Sequence, residues 1–91
     1  MKKYYQDVFN VLDQCYWICK EDALGALLGA MDTHIWANGE PADPAIYENL
    51  VEIYSSALSF KENVLRFLEM YQTNFGFDLT QTRALIEKMD I

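Results

Sequence analysis

Apolar residues recur along this chain at helical spacing, and nowhere do they alternate with polar ones for long enough to suggest a strand. From Lys3 to Cys19, steps of about 100° per residue put Tyr4, Tyr5, Val8, Phe9, Val11, Leu12, Cys15, Tyr16, Ile18 and Cys19 on one half of a helix. Gln6, Asp7, Asn10, Asp13 and Gln14 take the other half, so a first helix is expected over 3–19. Trp17 breaks the pattern by falling on the polar strip with Lys3, Asp7, Asn10, Gln14 and Glu21. Either the helix ends or bends before Trp17 and folds the indole under, or the ring is exposed and marks an interface.

After a soft break at Lys20-Glu21-Asp22, the pattern predicts a second helix over about 22–37. Leu24, Leu27, Leu28, Met31 and Ile35 form a large apolar side, and Ala23, Ala26 and Ala30 a small one. Gly25, Gly29 and Trp36 line up with Asp32 on the third side. A helix with so little polar surface is expected to be buried all round, as a central helix or a subunit contact. Leu24, Gly25, Leu28, Gly29 and Met31 are therefore the expected self-association residues. Asn38-Gly39 suits the end of this helix, and Asp43-Pro44 fits an N-cap followed by proline at the first helical position.

The strongest rhythm follows. Ile46, Leu50, Ile53, Ala57, Phe60, Val64, Phe67 and Tyr71 are spaced alternately by four and three residues, and Tyr47, Val51, Tyr54, Leu58, Leu65 and Leu68 run beside them. Ser59-Phe60-Lys61-Glu62 resembles a capping box. The phase nevertheless runs through it, and neither Gly nor Pro intervenes, so one long helix over 44–75 is expected, with a kink allowed near 55–59. Such a helix would span roughly 48 Å, against a diameter of about 25 to 30 Å for a globule of this size. It must fold back at the kink, or a second subunit must cover it; the apolar helix before it tips the expectation towards a homodimer. Asn74-Phe75-Gly76 is a stop, after which Asp78 or Thr80 can cap a short last helix. The expected fold is a single all-α domain over 1–91: a small bundle with an N-terminal helical hairpin, one long helix and a short C-terminal helix.

With 52% hydrophobic residues, material for a core is plentiful. The longest uncharged run, Ala23 to Met31, is far shorter than the roughly 20 residues of a membrane span. Lys2 and Lys3 meet Asp7 and Asn10 before an apolar run develops, so no signal peptide is expected and a cytoplasmic setting is the default. The net charge of −7 is unevenly placed: residues 21–60 carry no Lys or Arg, whereas bases and acids nearly balance after Lys61. An acidic middle repels nucleic-acid phosphates and favours basic partners. A helix-turn-helix reading of 78–86 fails for the same reason, since Arg83 and Lys88 are the only bases near it.

Candidate chemistry adds little. Cys15 and Cys19 are four apart on one apolar face and read as buried thiols. A zinc site would need a second ligand pair, and His34 is the only histidine. Asp32 and His34 point about 200° apart on a helix, and Glu48 and Glu52 stack on a solvent face without a Glu-x-x-His partner. Phosphate loops and nucleophile motifs are missing. No catalytic, cofactor or metal residues are expected, and the chain is not expected to be an enzyme. The expected function is protein–protein binding, as a regulator or inhibitor of a basic or nucleic-acid-binding partner. By analogy of size and charge alone, antitoxins, phage anti-defence proteins and nucleic-acid mimics are of this kind. The candidate partner-binding residues are Trp17, Glu21, Asp22, Asp32, Trp36, Glu40, Asp43, Glu48 and Glu52. One alternative is a structural homo-oligomer with no separate partner; another is a small-ligand or metal binder built on Cys15, Cys19 and His34.

Overall fold

The apolar strip of the first helix packs as its periodicity predicts. Tyr5, Val8, Leu12 and Cys15 are buried, while Asn10, Gln14 and Trp17 face outward. The computed structural model describes residues 2–32 and 44–91, as five helices: α1 (Lys2–Cys19), α2 (Asp22–Met31), α3 (Pro44–Ile53), α4 (Phe60–Phe75) and α5 (Thr80–Lys88). The fold is an all-α bundle, with the expected hairpin at its N-terminus. Only Lys20 and Glu21 separate α1 from α2. Lys20 is in the left-handed region (φ 50°) and its N–H closes α1 onto the Tyr16 carbonyl. From inside α1, the buried Tyr5 hydroxyl donates to the Met31 carbonyl at the far end of α2 (2.7 Å), locking the hairpin.

Two expectations for α2 need correcting. It ends at Met31, where Asp32 turns extended, rather than running to 37; His34, Ile35 and Trp36, the Asn38-Gly39 stop and the Asp43 cap lie outside the described residues. Nor is α2 buried on every side: Leu24, Leu27, Leu28 and Met31 enter the core, whereas Ala26 and Gly29 are exposed. The physical reason is size. Alanine and glycine make a helix face look apolar but expose a methyl or nothing, so leaving them in water costs little.

The single long helix over 44–75 is also corrected: the chain breaks between Ile53 and Phe60 and folds back. Ser59 is the N-cap of α4 in a complete capping box. Its hydroxyl accepts from the Glu62 N–H (3.1 Å), and the Glu62 carboxylate accepts from the Ser59 N–H (3.1 Å). Asn63 is the organising residue. Its buried amide accepts from the Ser55 N–H and donates to the Ser55 and Ser59 carbonyls, so it satisfies backbone groups that the break leaves unpaired. The heptad phase survived because the last residue of α3 and the first of α4 are seven apart, one heptad. Both halves of the main row face the core at Ile46, Leu50, Val64, Phe67 and Tyr71, and Ala57, in the turn, is exposed.

Gly76 takes the left-handed conformation (φ 71°) that ends α4, and its N–H returns to the Gln72 and Tyr71 carbonyls. The chain then enters α5, which lies between α1 and α4. The five helices form a closed ring, with α1 against α2, α2 against α3, α3 against α4, α4 against α5, and α5 back against α1. The ring encloses one core and measures 34 × 31 × 25 Å. No helix among the described residues is long and apolar enough to cross a membrane.

Candidate functional site

The α1–α2 hairpin places an indole in water. Because α1 continues straight to Cys19, Trp17 stays on the polar strip and is 68% exposed, which resolves the alternative left by the sequence in favour of an exposed ring. Ile18, expected on the apolar half, is equally exposed at that half's edge. The Lys20 ammonium sits 4.6 Å from the centroid of the Trp17 ring and 6.0 Å from that of Tyr16, a cation–π arrangement at the mouth of the hairpin.

Beside Trp17 a groove of about 430 Å³ runs between α1 and α2. Phe9, Tyr16 and Trp17 supply aromatic walls, Gly25, Leu28 and Gly29 line it from α2, and Asp13, Asp22 and Asp32 give it three carboxylates and, among the described residues, no base. The two glycines differ in what they do. A Cβ on Gly25 would come within 2.9 Å of the Tyr16 ring, so glycine is needed there for that close approach. A Cβ on Gly29 would meet nothing within 4 Å among the described residues. Glycine inside a helix costs about 1 kcal/mol relative to alanine, and packing among the described residues gives no reason for it at 29.

Three of the candidate partner residues, Trp17, Asp22 and Asp32, thus meet at one groove. Glu48 and Glu52 are exposed on α3 and are not among its lining residues; Trp36, Glu40 and Asp43 lie outside the described residues. Glu21 does something else. Its carboxylate is only 9% exposed and turns towards α5, accepting from the Gln81 N–H (3.1 Å), the Thr82 N–H (2.9 Å) and the Thr82 hydroxyl (2.7 Å). α5 has no side-chain cap from its own N-cap residue, Leu79. Asp78 accepts instead from the Thr80 N–H and hydroxyl just ahead of the helix, and Glu21 supplies the anion for the free N–H groups of the first turn. Sequence reasoning missed this role, and also Asp13, Phe9 and Tyr16 as groove residues. Asp13 and Asp22 differ by nine positions, a spacing that only the packing angle of the hairpin converts into proximity.

Of the proposed self-association residues, Leu24, Leu28 and Met31 are buried in the chain's own core, Leu28 with an edge on the groove, where Gly25 and Gly29 also lie. The thiols are internal too. Cys15 is fully buried with its sulfur 3.7 Å from that of Met89, and burial together with the neighbouring Cys19 pushes its pKa up to about 11. The Cys19 sulfur lies 3.9 Å from the Thr82 hydroxyl oxygen. That hydroxyl's proton is directed at Glu21, so the thiol is the donor in this pair. Among the described residues no group of three or more His, Cys, Asp and Glu side chains converges as a metal site would need. No protein-family model, curated protein or solved structure matches this chain.

Proposed function

We propose that this chain acts by binding a basic protein partner, as a regulator or inhibitor, through the surface around the α1–α2 hairpin. The observation that carries the reading is the exposed pair Trp17 and Ile18 next to a groove whose charged lining groups, among the described residues, are carboxylates. Tryptophan is the residue type that most often dominates interface energetics, and here its ring contributes little to the chain's own core. The surrounding charge agrees in sign, since the chain carries −7 overall and has no Lys or Arg from residue 21 to residue 60. Among the described thiols, the buried and protonated Cys15 is poorly suited to be a nucleophile, which further favours binding over catalysis.

The test is affinity capture with the wild-type chain and with a Trp17→Ser, Ile18→Ser double variant. A basic protein retained by the first and lost by the second, with both chains melting alike, supports the reading. Equal retention of the same protein by both sinks it.

A further inference from the structure

We infer that the α1–α2 groove receives an arginine side chain of the partner, its guanidinium flat against the Tyr16–Trp17 wall and its N–H groups reaching Asp13 and Asp22. This rests on the protein-binding reading above and adds to it the chemistry and the place of recognition. Three features point the same way. The lining combines aromatic faces with carboxylates, the pairing that suits a planar, weakly hydrated cation better than a compact, strongly hydrated ammonium. The indole already attracts a cation, because the Lys20 ammonium lies 4.6 Å from its centroid, and the charged residues that line the groove among the described residues are carboxylates. Gly29 keeps the α2 side bare where an added Cβ would meet nothing within 4 Å among the described residues.

That last feature makes the test clean. Gly29→Leu should fill the groove from a position with open space around it among the described residues, without disturbing the core. The probes are nona-arginine and nona-lysine peptides, titrated into the isotopically labelled chain at low salt and followed by amide chemical shifts. The expected result is saturable nona-arginine binding with shifts concentrated at residues 9–17 and 22–32. It should be at least tenfold tighter than nona-lysine binding and weakened at least tenfold by Gly29→Leu, whose melting temperature does not fall. Asp13→Asn should weaken it by about threefold to tenfold, the loss of one rim charge contact. Equal affinity for both peptides overturns the arginine assignment. Binding that Gly29→Leu leaves intact, with shifts centred on Glu48 and Glu52, overturns the groove but leaves the basic-partner reading standing. No saturable binding of either peptide overturns both.

Discussion

At the scale of single residues, Glu21 is the side chain whose role differs most from its appearance in the sequence. It looks like one more member of an acidic surface, but three donors of α5 converge on its carboxylate. Hydrogen bonds to a charged group contribute about 1.5 to 3 kcal/mol net, and removing the acceptor strands the buried Thr82 hydroxyl and two N–H groups. Glu21→Ala should therefore cost about 2 to 3 kcal/mol in urea unfolding. Glu21→Gln, which keeps one acceptor oxygen, should cost clearly less. Equal losses would mean that the charge is irrelevant and that packing alone holds the loop. The two cysteines offer a second contrast. With its thiol buried and its pKa near 11, Cys15 should resist iodoacetamide at pH 8 until the chain unfolds, while half-buried Cys19 is alkylated first. The linkage has a sign: the unfolded thiol ionises near its ordinary 9.0 while the folded one holds its proton. The contribution of Cys15 to stability is thus complete below pH 9 and lost as the pH rises towards 11. Alkaline unfolding should be less steep in Cys15→Ala, and an unchanged slope would remove Cys15 from the account.

At the scale of elements, the 54–59 turn shows what periodicity can and cannot convey. Helical spacing identified the core strip of α1, the buried leucines of α2 and the inward row shared by α3 and α4, because each is a local consequence of 3.6 residues per turn. It could not separate α3 from α4, since a six-residue linker restores the heptad phase by length alone. The signal that mattered was chemical: Ser59 and Glu62 as a capping box, and Asn63, an amide in an apolar stretch, which only a broken backbone can satisfy. The candidate site was legible to the same extent. Trp17 announced itself by violating its own helix, whereas Asp13 and Gly29 joined it only through the crossing of two helices, which no one-dimensional pattern records. Ser59→Ala should cost about 1 kcal/mol as a lost N-cap. The Ser59 N–H also holds the Glu62 carboxyl below its ordinary 4.5, so the stabilisation is present above that value and disappears as the pH falls through the depressed one. Acid unfolding should therefore be less steep below pH 4.5 in Glu62→Gln, which removes the titrating carboxyl, than in the wild type; parallel curves would show that the box contributes nothing in the folded chain.

At the scale of the whole molecule, the net charge acts on folding and binding in opposite directions. The chain has 14 acids against 7 bases, and among pairs of described residues Lys3–Asp7, at an exposed helix surface, is the one ion pair. Such a pair contributes at most about 1 kcal/mol, so the acids are largely balanced by solvent and counter-ions. Packing five helices into a ring brings these carboxylates closer together than in the unfolded chain, and self-repulsion opposes folding. Salt screens that repulsion over a Debye length of about 10 Å at 0.1 M, so the melting temperature should rise as sodium chloride is raised from low to moderate concentration. The same screening weakens attraction to a basic partner, and the affinity should fall over the same range. Measured together by differential scanning fluorimetry and by titration with a basic peptide, the two should move apart. A fold insensitive to salt would show that the carboxylates are locally compensated in a way the described residues do not reveal. An affinity insensitive to salt would place recognition on Trp17 and Ile18 alone, with the acidic surface irrelevant to the partner.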